Sequence, residues 1–99
     1  MEIKIQSIHF DATEQLKEFT EKKVVKLEKT YEDIQKVDIN FKVIKPATAM
    51  NKETSMTVAV PGTRIHVEKI CDTFEEGIDN CVDALKVQLS KFKEKLRNK

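Results

Sequence analysis

Between Thr73 and Leu96 the apolar residues Phe74, Ile78, Cys81, Val82, Leu85, Leu89, Phe92 and Leu96 recur at helical spacing. They make one unbroken stripe over roughly six turns. A helix of this length with a single apolar face needs a surface to lie on, and the rest of the chain has to supply it. Its start is marked by Thr73-Phe-Glu-Glu76, a T-x-x-E capping box in which the Thr side chain accepts a backbone N–H of the first turn. Gly77 falls in that first turn, where a glycine costs less than in mid-helix.

The same helix carries an unusual charge gradient. Glu75, Glu76, Asp79 and Asp83 come early, while Lys86–Lys99 holds six of the eighteen basic residues and one acid, Glu94. A chain of net charge +1 thus ends in a stretch of local charge +5. A disordered basic tail has no use for Leu85, Leu89, Phe92 and Leu96 at steps of four, three and four. One or two terminal cations satisfy the helix dipole, at about 0.3–1 kcal/mol each. Cations on both flanks of the stripe, Lys86, Lys93 and Arg97 on one and Lys91 and Lys95 on the other, exceed that need. A rigid helix projecting positive charge from a neutral domain points to a polyanion.

Residues 2–10 alternate at Ile3 and Ile5, then change phase at Ile8 and Phe10, which predicts a strand with a late bulge or change of face. Asp11, with Glu14 three residues on, or Thr13 can cap the next element. From about Thr13 to Tyr31 the spacing predicts a helix, with Leu16, Phe19, Thr20, Val24, Leu27 and Tyr31 in one stripe. Lys22, Lys26 and Lys29 fall on one flank, with Lys23 between them and the stripe; Glu14, Glu18, Glu21, Glu28 and Glu32 fall on the other. The near-neutral composition therefore conceals a sideways segregation of charge.

Residues 36–45 alternate, with Val37, Ile39, Phe41 and Val43 on one side and Asp38, Asn40 and Lys42 on the other, which describes a strand with one wet face. Pro46–Lys52 reads as a loop, Thr54–Val60 as a strand with Met56, Val58 and Val60 inward, and Arg64–Ile70 as a strand with Ile65 and Val67 inward. Pro61-Gly62 between the last two is a tight turn with Gly62 at positive φ. The order is β-α-β-β-β-α. A crossover containing a helix makes the first two strands parallel, and the short connections make the last three antiparallel. Both helices must cover the one apolar face, giving a single two-layer α+β domain over residues 1–99: a four-stranded mixed sheet with two helices on one face.

Several function classes drop out. No apolar run approaches the roughly 20 residues of a membrane span, and Met1–Ile5 lacks the pattern of a signal peptide, so a cytoplasmic protein is expected. Cys71 and Cys81 do not form C-x-x-C, and His9 and His66 have no helical partner, so no metal and no cofactor are expected. The phosphate-loop, dinucleotide, nucleophile-elbow and zincin motifs are absent, which leaves no enzyme reading and no small-molecule substrate. There is no Trp, and Phe10, Phe19, Phe41, Phe74 and Phe92 all sit on apolar phases, which disfavours stacking on single-stranded bases. If the helices lie side by side, their lysines line a basic groove suited to an A-form RNA backbone.

These elements together resemble the ribosome hibernation-promoting factor family, which includes ribosome-associated inhibitor A. The resemblance runs through Ala12-Thr13-Glu14, Leu16-Lys17-Glu18-Phe19, Lys26-Leu27-Glu28, the Val37–Lys45 strand, Ile65-His66, Phe74, Ile78-Asp79, Asp83 and Leu85. Its most specific string is Gln88-Leu89-x-Lys91-x-Lys93-x-Lys95-Leu96. Many members are basic where this chain has Ala84 and Val87, and histidine is common where Phe92 stands. With the sequence ending at Lys99, a short form of the family is expected, without the further C-terminal domain of the long forms or the tail of the inhibitor type.

The resemblance implies a fold similar to a double-stranded RNA-binding domain with an added first strand. It also implies binding in the decoding channel of the small ribosomal subunit, with inhibition of translation and protection of idle ribosomes in stress and stationary phase. Matching basic positions are Lys17, Lys23 and Lys26 on the first helix and Lys91, Lys93 and Lys95 on the last. Charge patterning adds Lys22, Lys29, Lys86 and Arg97 as ribosomal-RNA contacts. The alternatives are a generic double-stranded RNA binder and a protein-interaction or oligomerisation module whose acidic and basic flanks pair between copies.

Overall fold

β1 (Glu2–Ile8) and β2 (Lys36–Val43) lie side by side and parallel, in register from Glu2 opposite Lys36 to Ile8 opposite Lys42. A parallel pair needs a long connection, supplied here by α1 (Glu14–Val24) and the short α2 (Leu27–Thr30). β3 (Lys52–Val60) and β4 (Thr63–Cys71) come next, antiparallel, so the sheet order is β1-β2-β3-β4, and α3 (Phe74–Arg97) completes the fold. The structure, a computed structural model of the chain, describes residues 1–8, 11–44 and 50–97, with backbone alone at 96 and 97. His9, Phe10 and the stretch from Lys45 to Ala49 lie outside the described residues.

Alternation sorts the sheet into two faces. Val37, Ile39 and Phe41 of β2, Thr54, Met56, Val58 and Val60 of β3, and Val67 and Cys71 of β4 are buried beneath the helices. Leu16, Val24 and Leu27 meet them from the first helical stretch, and Ile78, Leu85 and Leu89 from α3, in one continuous core. The other face is polar, with Lys4, Gln6, Asp38, Asn40, Thr57, His66 and Glu68 among its residues. Both helices cover the apolar face, as the patterning requires. α3 is about 36 Å long, while the longest strands reach about 30 Å.

Local signals account for the boundaries. Thr13 caps α1, its Oγ1 accepting the Leu16 N–H at 3.1 Å. Thr73 caps α3 in the same way, accepting from the Glu76 N–H at 3.1 Å. Gly62 turns the β3–β4 hairpin at φ +84°, a conformation that costs glycine nothing.

Three expectations are corrected. The predicted Thr13–Tyr31 helix is broken after Val24. The Val25 N–H still reaches Glu21 four residues back (3.0 Å), but Lys26, Glu28 and Lys29 donate to residues only three back, at 3.2–3.3 Å. Val24 and Val25 are consecutive β-branched residues that propagate a helix poorly. The tightened turn still brings Leu27, fully buried, and Tyr31 onto the core. β1 shows neither bulge nor change of face through Ile8, which points outward at 41% exposure because its ladder with β2 runs without interruption. Lys52, read as loop, already pairs with Val43 and Cys71 in β3, since ladder bonding overrides its polar character.

Candidate nucleic-acid interface

α1–α2 and α3 lie side by side and point the same way. Near the start of the pair, Lys23 Nζ lies 3.3 Å from Asp79 Oδ1. Further along, the rings of Tyr31 and Phe92 meet at 5.6 Å between centroids, tilted by 52°. At the helix N-termini, Leu16, Phe19 and Phe74 line one surface cavity with Thr13 and Glu75. Early residues meet early ones and late meet late, so the N-termini share one end of the domain.

That geometry assigns the flanks of α3. The flank carrying Asp79 faces α1, and Lys86 and Lys93 succeed it at seven-residue steps, which returns a helix to nearly the same azimuth. Lys91 and Lys95 stand on the other flank, the side where Gly77 rests on Thr54 of β3 and Asn80 Nδ2 lies 3.3 Å from Cys71 Sγ of β4. Lys22, Lys26 and Lys29 are exposed on the flank of α1–α2 from which Lys23 reaches α3. Lys86 and Lys93 thus follow Asp79 on the flank of α3 that faces α1, Lys22, Lys26 and Lys29 are exposed on α1–α2, and Lys91 and Lys95 lie across α3 from Lys86 and Lys93.

The ten expected contacts fall into distinct groups. Lys17 stands on the acidic flank of α1, 3.7 Å from Glu14 Oε1. Lys23 is held between Asp79 and the ring of Phe19, whose centroid is 5.4 Å from its ammonium. Among the described residues, Lys22, Lys26, Lys29, Lys86, Lys91, Lys93 and Lys95 form no ion pair. Lys93 opens on a small cavity with Tyr31, Glu32 and Asp33, whose carboxylates temper its field. Of Arg97 only the backbone is among the described atoms. Unpaired ammonium groups on rigid helices act as point-charge donors to phosphates, which fix position and charge rather than base sequence.

Among the described residues the aromatic rings are packed inward rather than free to stack on bases. Tyr31, Phe41 and Phe74 are buried and Phe19 and Phe92 half-buried, with Phe41 and Phe74 edge to face at 5.1 Å. Among the described residues no three His, Cys, Asp or Glu side chains stand together as metal ligands, and no helix is long and apolar enough to cross a membrane. Burial pushes the Cys81 thiol up to about 12, and its Sγ donates to the Thr54 carbonyl at 3.5 Å. On the outer face, the hydrogen bond that a protonated Glu53 carboxyl donates to Glu68 raises Glu53 above the ordinary carboxylate range, with burial and the Glu68 charge adding to it. The Thr57 hydroxyl and His66 Nδ1 are hydrogen-bonded there at 2.7 Å. Sequence patterning missed the Lys23–Asp79 pair, because both residues read as flank charges and only packing joins them.

A four-stranded mixed sheet carrying parallel helices, whose lysines are largely unpaired among the described residues, defines a small two-layer α+β domain. The chain belongs to the family described as Sigma 54 modulation protein / S30EA ribosomal protein, whose model matches residues 3–97. It is similar to the ribosome hibernation promoting factor of Escherichia coli (strain K12), at 32% identity over 97 residues, 98% of each chain. It is also similar to the ribosome hibernation promoting factor of Pseudomonas putida, at 26% identity over 96% of this chain and 89% of that one. Among solved structures, a ribosomal subunit interface protein from Coxiella burnetii superposes with a TM-score of 0.85 at 28% identity, covering 95% of this chain and 99% of that one. The N-terminal domain of Protein Y from Thermus thermophilus shares the fold, with a TM-score of 0.79 at 22% identity over 93% and 99% of the two chains. The family and the architecture expected from the sequence are both borne out.

Proposed function

We propose that this chain is a non-enzymatic ribosome hibernation factor of the cytoplasm. It docks on the small ribosomal subunit in the channel that transfer RNA and messenger RNA occupy, blocks initiation by steric exclusion and protects idle ribosomes. The observation that carries the reading is the set of seven lysines on paired helices left without ion pairs among the described residues, in a domain where Lys17, Lys23 and Lys36 are paired. Kinship with proteins named for ribosome hibernation supports ribosomal RNA as that polyanion. Affinity comes mainly from phosphate neutralisation, with Lys22, Lys26, Lys29 and Lys86 supplying one side and Lys91, Lys93, Lys95 and Arg97 the projecting end.

The test is sedimentation of the purified protein with small subunits, large subunits and an unrelated RNA duplex over a range of salt. Selective binding to small subunits is expected, with log affinity falling against log salt by about 0.7–0.9 per phosphate contact. Equal binding to large subunits or to the duplex makes the chain a generic double-stranded RNA binder. Affinity insensitive to salt rules out the lysine mechanism.

A further inference from the structure

We infer that Asp79 is a positioning residue for the lysine groove: an acid that raises affinity for RNA by holding Lys23. The inference rests on the ribosome-docking reading and names a residue that charge patterning alone assigns only to the helix dipole. α1 ends at Val24, one residue after Lys23, and the chain then tightens through Val25–Thr30, the segment that carries Lys26 and Lys29. This segment is tied to α3 at two places: before it by Lys23–Asp79 at 3.3 Å, and after it by Tyr31 against Phe92 at 5.6 Å. Lys26 and Lys29 flank Leu27, which is itself buried in the core, and the ion pair is the surface tie to α3 that precedes them. Lys23 is suited to anchoring, because its side chain is 30% exposed and its ammonium also lies over the Phe19 ring. Asp79 begins the heptad-spaced row that continues as Lys86 and Lys93, so the pair links the lysine-bearing segment of α1–α2 to the lysine row of α3.

Electrostatics alone predicts the opposite sign. Neutralising an acid beside a phosphate-binding groove should tighten binding; neutralising a positioning acid should weaken it. The parent, Asp79→Asn, Asp79→Glu, Lys23→Gln, Glu75→Gln and the swap Lys23→Asp with Asp79→Lys are sedimented with purified bacterial small ribosomal subunits over a range of salt, and melted on the same preparations. Asp79→Asn is expected to bind about threefold more weakly, the scale of a partly exposed ion pair, with the salt slope unchanged. Asp79→Glu and the swap restore binding, and Glu75→Gln binds at least as tightly as the parent. An Asp79→Asn variant that binds equally or more tightly overturns the inference and leaves ribosome docking standing. So does a Lys23→Gln slope shallower by about 0.7–0.9, which makes Lys23 a phosphate contact. A swap that regains the parental melting temperature but not the affinity overturns it as well. A parent that does not bind small subunits overturns the docking reading itself.

Discussion

Gly77 of α3 rests directly on Thr54 of β3: a Cβ at residue 77 would lie 3.0 Å from the Thr54 Cβ and would collide with its Oγ1. This glycine brings the first turn of α3 down onto the sheet. Alanine is the better helix former by about 1 kcal/mol, yet Gly77→Ala should destabilise the protein, because overpacking a dense core costs about 1–3 kcal/mol. Thr54 Oγ1 has no hydrogen-bond partner among the described residues, so Thr54→Ala sacrifices little polar bonding while opening the space. In the Thr54→Ala background, Gly77→Ala should become neutral or stabilising. Denaturant melts of the four proteins in this cycle check the sign change; destabilisation by Gly77→Ala in both backgrounds disproves the contact as its cause.

The thiols give a second test. Cys71 and Cys81 are buried, and burial drives the Cys81 thiol up to about 12, so Cys81 carries almost no thiolate at neutral pH while packing shields Cys71. Thiolate is the reacting species. Both residues should resist a thiol reagent in the native protein and react promptly in denaturant. Rapid stoichiometric labelling of native protein contradicts the packing of α3 on β3 and β4.

Stability at the outer sheet face should depend on pH in a defined direction. Glu53 is raised, first by its hydrogen bond with the Glu68 carboxyl, then by burial and the Glu68 charge, with Lys42 opposing. A raised folded-state value means the pair's stabilising contribution is complete below the ordinary glutamate range and is lost as pH rises through the raised value. Above the raised value two like charges face each other, and Glu68→Gln should raise the melting temperature. That advantage should vanish in mild acid. Melting curves at both pH values decide it, and a Glu68→Gln benefit that grows on acidification contradicts the assignment.

Much of this architecture was legible because each element carries its own period. The alternation of Val37, Ile39 and Phe41, the Thr73 cap and the Pro61-Gly62 turn are local signals, and the parallel β1–β2 pair results from the intervening helix. The break after Val24 was hidden because Leu27 and Tyr31 keep a helical stripe whether the turn between them is regular or tightened. Gly77 could be read only as inexpensive, since its neighbour Thr54 is 23 residues away in sequence and the contact exists only across layers. The candidate site shows the same division. Charge clustering found the lysines, but the pairing that separates Lys17 and Lys23 from the unpaired seven depends on which acid packing brings near.

The flanks of α3 supply the last prediction. Lys91 and Lys95 are exposed, unpaired and away from the apolar stripe, so changing both to Glu removes no core contact. Acids near the helix C-terminus should cost only about 0.3–1 kcal/mol each. Affinity for small ribosomal subunits should fall about tenfold or more, because each change deletes a phosphate contact and adds repulsion. The control is Glu75→Gln with Glu76→Gln at the acidic end; Asp79 is unsuitable there because it holds Lys23. A companion pair, Lys86→Glu with Lys93→Glu, probes the groove on the α1 side. Sedimentation and melting of all three variants separate the two flanks. If Lys91→Glu with Lys95→Glu melts near the parent and binds as tightly, RNA contacts only the α1-facing flank of α3, and the interface shrinks to the groove between the helices.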